Sequence, residues 1–240
     1  MSTEAMAGPQ TSGPRGLIAA PWHLLTVLGV FAYFAVSQAQ PTQGQAAAPV
    51  VASNGAMIRA YLLNIAEEIG IASWVWAGVR WSGGNLQTLT GRSWTSLRTI
   101  VVDVAIAALF WIVWEFTAWA VHRVVDRVQA PTAPYQPPAG LLEVSLWIAL
   151  SIAAGICEEI VFRGYLQKQF LGATGNLALA VVLQAAVFGF AHTYQGWKQV
   201  IVIFVLGILY GVLAASRRNL GANMMAHAWS DIFEGWLRQL

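Results

Sequence analysis

The residues best suited to catalysis lie in the run EEIVFR at residues 158–163, in which two adjacent glutamates precede an arginine. On a helix, Glu159 and Arg163 are four residues apart, so they share a face and can form an ion pair. Glu158 is turned about 100° from Glu159 around the helix and is left free. A free carboxylate in an apolar setting is suited to accepting a proton from water. The run would equally suit a structural ion pair that fixes helix packing, and taken alone it does not decide between the two.

Two histidine motifs follow on separate predicted helices. Phe188 and His192 are four residues apart at the end of one apolar segment, and His227 and Asp231 have the same spacing in the last segment. Residues at this spacing lie on one face of a helix. A single histidine in an apolar helix is usually a core residue. Two of them, downstream of the paired glutamates, indicate a functional site.

A second pair of adjacent glutamates, Glu67 and Glu68, has no arginine four residues on, where Ile71 and Ala72 stand. An ionised group at the bilayer centre costs at least about 2.5–3.5 kcal/mol on insertion scales, so such residues face partners or a polar cavity. We therefore expect this pair to be structural or to line a cavity, rather than to be catalytic.

Four isolated polar residues have simpler interpretations. We expect Asp103 and Glu115 to hydrogen-bond between helices, because each is a single carboxylate in an apolar segment. We expect His23 and His122 to lie at the membrane interface.

The elements that position these residues must be membrane helices. Of the 240 residues, 57% are hydrophobic and only 10% are charged, whereas a soluble domain carries about 25% charged residues. Lipid must therefore cover much of the exterior. The single cysteine, Cys157, excludes an intrachain disulfide framework and a cysteine-rich zinc site. The net charge of +2, from scattered basic residues, does not indicate nucleic-acid binding.

Seven apolar segments predict an all-α, polytopic transmembrane bundle of six to eight helices. They cover residues 17–36, 58–79, 100–121, 141–162, 177–191, 200–215 and 220–237. The first segment has features of a signal peptide, but its length favours a retained span. The predicted organisation is a disordered tail (1–16), an N-terminal transmembrane region (17–130) and a motif-bearing core (131–240).

The order EExxxR, FxxxH, HxxxD over roughly residues 141–237 resembles the intramembrane proteases of the CAAX-protease and bacteriocin-processing (CPBP) family, which includes the prenyl-protein endopeptidases. The resemblance implies an intramembrane endopeptidase in which Glu158 and His192 activate the attacking water. It also implies that Glu159 and Arg163 form a supporting ion pair.

The resemblance further implies that His227 and Asp231 stabilise the oxyanion of the tetrahedral intermediate. Here the chain departs from the family pattern, because prenyl-protein endopeptidases often carry asparagine where this chain has Asp231. An ionised aspartate cannot donate a hydrogen bond. Asp231 must therefore be protonated, orient His227 or bind a metal.

Glu158, His192, His227 and Asp231 also make up a candidate site for one divalent metal such as zinc. The two histidines lie on separate predicted helices, without an HExxH pair that would hold two ligands on one face. The sequence therefore favours a water activated by glutamate with no cofactor required, and leaves a metal-dependent protease as the alternative.

The resulting hypothesis is a multi-pass protein of the bacterial plasma (inner) membrane that cleaves a peptide or protein substrate presented at the lipid bilayer, with no nucleic-acid partner. A prenylated CAAX protein, a bacteriocin leader and a C-terminal sorting segment would all suit such a site. The alternatives are an ion-coupled transporter and a non-catalytic membrane chaperone or immunity factor that uses the same buried polar residues.

Overall fold

The structure is a computed structural model that describes residues 16–38, 54–91, 96–126, 138 and 140–237, with side chains as far as 233. The predicted tail up to residue 15 and most of the proline-bearing stretch before residue 140 lie outside the described residues. Within the described part, the chain is helical apart from turns and one isolated β-bridge between Gly91 and Asn219. The predicted all-α fold is confirmed.

Each of the seven predicted spans overlaps a helix of at least 15 residues, and the span 141–162 continues from an α-helix into a π-helix. In chain order the helices are α1 (Pro21–Gln38), α2 (Asn54–Trp81), α3 (Leu86–Thr90), α4 (Leu97–Val125), α5 (Leu141–Glu158), α6 (Gln167–Thr174), α7 (Leu177–Ala191), α8 (Trp197–Arg217) and α9 (Gly221–Leu237). The short helices α3 and α6 were not predicted as separate elements. A 3₁₀ turn, Thr193–Gln195, connects α7 to α8.

Three stretches of helix are long and apolar enough to cross a membrane: Leu97–Val125, Leu141–Thr174 and Trp197–Arg217. The apolar helices α1 and α7 are shorter. Together with the composition, these stretches make the protein an integral membrane protein built as a helical bundle.

A π-helix, Glu159–Leu166, joins α5 to α6 without a break, so Leu141–Thr174 forms one continuous rod. The backbone N–H of Gln167 donates to the backbone carbonyl of Phe162, five residues earlier. In an α-helix, the acceptor would be four residues earlier. The regular helix predicted over residues 158–163 is therefore wrong in one respect, because the helix type changes between the two glutamates. Such wide turns occur frequently at functional sites.

His23 fastens the first helix to the core. Its side chain is fully buried; Nδ1 lies 2.7 Å from the Tyr165 hydroxyl of the π-helix and Nε2 lies 3.0 Å from the Trp74 carbonyl of α2. Gly78 makes room for the imidazole, since a Cβ there would collide with the ring. The predicted interfacial position of His23 is thus wrong, and the residue links three elements inside the bundle.

Asp103 of α4 follows the prediction of a bond between helices. Its buried carboxylate accepts a hydrogen bond from Arg217 Nη2, at the end of α8, at 2.7 Å. His122 pairs with the exposed Asp126 one turn on, at 3.3 Å. The first contact joins two long helices, whereas the second is local to the end of α4.

We expect His23→Ala to lower the free energy of unfolding by roughly 2–4 kcal/mol, because it opens a cavity and removes two buried hydrogen bonds, one with the Tyr165 hydroxyl and one with the Trp74 carbonyl. Thermal unfolding of the purified protein in detergent measures the change. His122→Ala is the matched control, and its partly exposed ring predicts a change within about 0.5 kcal/mol. Equal unfolding midpoints for the two variants would contradict this account of His23.

Candidate active site

The centre of the site is the Glu159 carboxylate, which is fully buried and bound by three side chains. Arg163 Nη1 donates to Oε1 at 2.8 Å, and His227 Nδ1 lies 3.0 Å from the same oxygen. Asn223 Nδ2 donates to Oε2 at 3.0 Å and to the Tyr210 carbonyl at 2.9 Å. A buried carboxylate is tolerated when it is paired and hydrogen-bonded in this way. Glu159 therefore draws the π-helix, α8 and α9 together.

The guanidinium of Arg163, which pairs with Glu159, lies against two aromatic rings. Its guanidinium carbon lies 4.3 Å from the centroid of the Phe188 ring and 5.0 Å from that of Tyr210. Both distances suit cation–π attraction. The ion pair expected from the spacing of Glu159 and Arg163 is present, and Phe188 of the FxxxH motif contacts its cationic end.

His227 has one nitrogen fixed and the other turned toward carboxylates. Because Nδ1 bonds Glu159, Nε2 faces Glu158 Oε2 at 3.6 Å and Asp231 Oδ2 at 3.9 Å. The imidazole stacks on Tyr210, with 5.2 Å between ring centroids. With a proton on Nδ1 for Glu159, Nε2 is a donor only in the imidazolium form.

Glu158 is turned away from the Arg163 ion pair, as its position on the helix predicts. Its side chain is 13% exposed, and its buried Oε2 has no hydrogen-bond partner among the described residues. Glu68 of α2 interacts electrostatically with Glu158. The site thus holds one fully bonded glutamate beside one with a free oxygen.

His192 is anchored at the end of α7 by contacts with Phe188. Its Nδ1 lies 2.8 Å from the Phe188 carbonyl, and its ring centroid is 5.0 Å from that of Phe188. The Phe188 ring also contacts His227, at 6.0 Å between centroids, so both histidines pack against one phenylalanine. Among the described residues, His192 has no hydrogen bond to Glu158. The joint activation of water by Glu158 and His192 that the resemblance implies stays a prediction.

The proposed metal ligands do not converge. Within the described part of the chain, no three side chains of the types His, Cys, Asp and Glu are arranged to hold one metal ion. Glu158, His227 and Asp231 lie near each other, and His227 and His192 each use Nδ1 in a hydrogen bond, which leaves Nε2 of both rings available to a ligand. The four side chains are not grouped around one point in this arrangement, and the metal-dependent alternative stays a prediction.

Sequence reasoning missed Asn223 and Tyr194, whereas Glu68 was expected only to be structural or to line a cavity. Asn223 was recognisable, because it is four residues before His227 and shares its helix face. Tyr194, in the 3₁₀ turn, interacts electrostatically with Glu68, Glu158 and Asp231. Neither Glu68 nor Tyr194 carries a local signal, since each reaches the site only through packing between helices.

The close approach of α5 and α9 brings the glutamates to His227. A Cβ on Gly155 would lie 2.6 Å from the Ala228 backbone nitrogen, which is too close for any side chain. Gly155 precedes Glu158 by three residues, and Ala228 follows His227 directly. The absence of a side chain at this crossing therefore sets the distance across the site.

Comparison with known protein families gives a match to the part of the chain that holds these motifs. Residues 140–233 match the family model described as type II CAAX prenyl endopeptidase Rce1-like. This part of the chain is therefore similar to the CAAX prenyl endopeptidases, in agreement with the resemblance carried by its motifs. Comparison with curated proteins and with solved structures gives no significant match.

The CAAX-protease match covers α5, the π-helix and α6–α8, and α9 as far as residue 233. It includes Glu158, Glu159, Arg163, His192 and His227, and also Asp231. Helices α1–α4 lie outside the match, although α1 and α2 supply His23 and Glu68 to the core and to the site. The roles implied for the individual residues remain predictions.

We expect Glu159→Leu to lower the free energy of unfolding by about 3–5 kcal/mol, because it leaves the Arg163 charge buried without its partner. The double variant Glu159→Leu/Arg163→Met recovers most of that loss, since apolar side chains of similar volume often replace a buried ion pair at little cost. Denaturant unfolding in detergent measures both variants. If the double variant is as unstable as the single one, the unpaired charge is not the cause.

Proposed function

We propose that this protein is an intramembrane endopeptidase that hydrolyses a peptide bond of a membrane-associated protein or peptide precursor. The observation that carries the proposal is the pairing of a free carboxylate oxygen on Glu158 with His227 Nε2, 3.6 Å away. A base and a potential donor thus face each other inside the bundle. The match of residues 140–233 to a CAAX prenyl endopeptidase model supports the same reaction class.

Glu158 is the proposed general base. Water is a poor nucleophile until a base removes its proton, and a carboxylate with an unengaged oxygen can do so. The oxygen of that water bonds to the substrate carbonyl carbon, and the carbonyl becomes an oxyanion. Glu158 then passes the proton to the nitrogen of the leaving peptide as the carbon–nitrogen bond breaks. Protons and electron pairs balance without a further reactant.

His227 is the proposed oxyanion donor. With Nδ1 held by Glu159, its imidazolium form presents Nε2–H to the developing negative charge. Asp231, whose Oδ2 lies 3.9 Å from Nε2, is better placed to orient and charge-balance the ring than to donate. In this assignment, Asp231 supports His227 and does not itself donate to the oxyanion, although prenyl-protein endopeptidases often have asparagine at this position.

His192 is proposed to bind the attacking water or the leaving group without direct contact to Glu158. Its Nδ1–H donates to the Phe188 carbonyl, so Nε2 of the neutral ring is an acceptor. Direct assistance to Glu158 requires substrate or water to bridge the two residues. His192 is therefore proposed as a residue that binds the reacting groups, rather than as a partner that holds Glu158.

The proposed substrate is a peptide segment presented at the bilayer of a bacterial plasma membrane, in which the chain is a multi-pass protein. The three long apolar stretches support the location, and the description of the matched family supports a cleavage site near a lipid-bearing C-terminus. A leader peptide or a C-terminal sorting segment would suit the same site chemistry.

We expect Glu158→Gln to reduce kcat by about 100-fold or more, the usual contribution of a general base. Purified protein in detergent is tested on a farnesylated peptide ending in a CAAX sequence and on a leader-type peptide, with products identified by mass spectrometry. Glu67→Gln is the matched control, because Glu67 is an exposed glutamate next to the site. Wild-type cleavage that survives in Glu158→Gln would refute this role for Glu158.

We also expect cleavage to persist after treatment with a strong chelator, since the described ligand geometry does not assemble a metal site. The metal content of the treated protein is measured alongside the activity. If activity disappears with the metal and returns when zinc alone is added, the metal-dependent alternative is correct.

A further inference from the structure

Three tryptophans lie together where α1 begins and α2 ends. Trp22 is the second residue of α1, Trp81 is the last residue of α2, and Trp74 is two turns before it. Their ring centroids are 5.6 to 6.5 Å apart, and the three residues are 38% to 64% exposed. Tryptophan at the ends of membrane helices lies at the level of the lipid headgroups. We refer to these three residues as the tryptophan cluster.

The rings of the tryptophan cluster face in different directions. Trp22 and Trp81 are close to parallel, with 29° between their planes, whereas Trp74 is turned by 63° from the first and 82° from the second. The centroids form a nearly equilateral triangle, so a point about 3.5 Å above its centre lies about 5 Å from each of them. Rings attract a cation within about 6 Å, and sets of rings recognise ammonium ligands. The cluster therefore has the dimensions of an ammonium site.

The core of the bundle holds Trp74 in place. Its ring stacks on the buried His23 imidazole, with 5.0 Å between centroids, and its Nε1 donates to Thr26 Oγ1 at 3.3 Å. Trp22 contacts the same imidazole edge-on, at 5.6 Å. A site whose parts are ordered before binding loses less conformational entropy when its ligand arrives.

Arg80 places a positive charge beside the tryptophan cluster. It directly precedes Trp81 in the last turn of α2 and is exposed. Within the part of the chain that the structure describes, no acidic side chain lies at ion-pair distance from Arg80. A guanidinium group binds phosphate through paired hydrogen bonds. An ammonium group joined to a phosphate by a short linker, as in a zwitterionic phospholipid headgroup, matches both features.

An apolar groove starts at Trp74 and runs between α1 and α2 toward the middle of both helices. The residues that line it are Val27, Val30, Gly70, Ile71 and Trp74. Gly70 keeps the groove open, because a Cβ at this position would stand in open space. A headgroup bound at the tryptophan cluster would thus have a place for an acyl chain directly beside it.

We propose that the tryptophan cluster, Arg80 and this groove form a binding site for one zwitterionic phospholipid. The ammonium group lies against the three rings, the phosphate accepts hydrogen bonds from Arg80, and an acyl chain lies in the groove. The site is built from α1 and α2, outside the residues that match the endopeptidase family. It does not depend on the proposed function, and Glu158→Gln should bind the lipid as wild type does.

Native mass spectrometry of the full chain in detergent tests the headgroup. Phosphatidylethanolamine, phosphatidylcholine and phosphatidylglycerol with identical acyl chains are added separately, and the apparent Kd of the first bound lipid is measured. The first two should bind at least about fivefold more tightly than phosphatidylglycerol, which has the phosphate but no ammonium group. Equal binding of all three lipids, or no retained lipid, would overturn the proposal.

Variants test the three parts of the site. Trp22→Leu/Trp81→Leu should weaken phosphatidylethanolamine binding by roughly 5- to 30-fold, because two rings that attract the ammonium group are lost. Trp197→Leu is the matched control, since Trp197 is an exposed tryptophan at the start of α8. It should change the Kd by less than about twofold. Arg80→Gln should weaken the binding of all three lipids, because they share the phosphate.

Gly70→Leu should weaken the binding of all three lipids by filling the groove, without loss of helix stability, because leucine favours a helix more than glycine does. Gly29→Leu is its control, since the Cβ position of Gly29 is equally open but the residue does not line the groove. A Trp22→Leu/Trp81→Leu variant that binds like Trp197→Leu would refute the headgroup site. A Gly70→Leu variant that binds like Gly29→Leu would refute the place of the acyl chain.

Discussion

The buried carboxylate of Glu159 is the constraint on which the rest of the site depends. Removing an ionised group from water is costly, and the cost is met only if its oxygens are bonded. Arg163 comes from its own helix, while Asn223 and His227 come from α9. The packing of α9 on α5 and the orientation of the His227 ring thus follow from one charge that has to be satisfied.

The change from α-helix to π-helix divides the two adjacent glutamates. α5 ends at Glu158 and the wider helix begins at Glu159, so neighbouring residues meet different surroundings. Glu159 is enclosed by donors, whereas Glu158 keeps a free oxygen and faces α2. One residue stabilises the bundle and the other is left for chemistry. In a regular α-helix, the two side chains would differ only by the rotation between neighbouring residues. Here nearly all residues of the π-helix are also buried.

Local spacing predicted the contacts that lie along one helix and missed those made between helices. The Glu159–Arg163 pair needed only a four-residue rule, and each predicted span coincides with a helix because apolar length is a local property. Glu68 was expected only to be structural or to line a cavity, because no arginine follows it. His23 was placed at the interface because no motif accompanies it, although its hydrogen bonds reach two other helices. Long-range pairing between helices depends on packing, which periodicity does not encode.

Charge balance explains why these inter-helix contacts matter. The site gathers four carboxyl groups, on Glu68, Glu158, Glu159 and Asp231, beside two side chains that can be cationic, Arg163 and His227. An oxyanion formed during hydrolysis would add a further negative charge to this apolar setting. Four ionised carboxylates would already exceed the positive charge, so a protonated group among them lowers the cost of the transition state. Among the four, only Glu68 lacks a cation at ion-pair distance within the described residues.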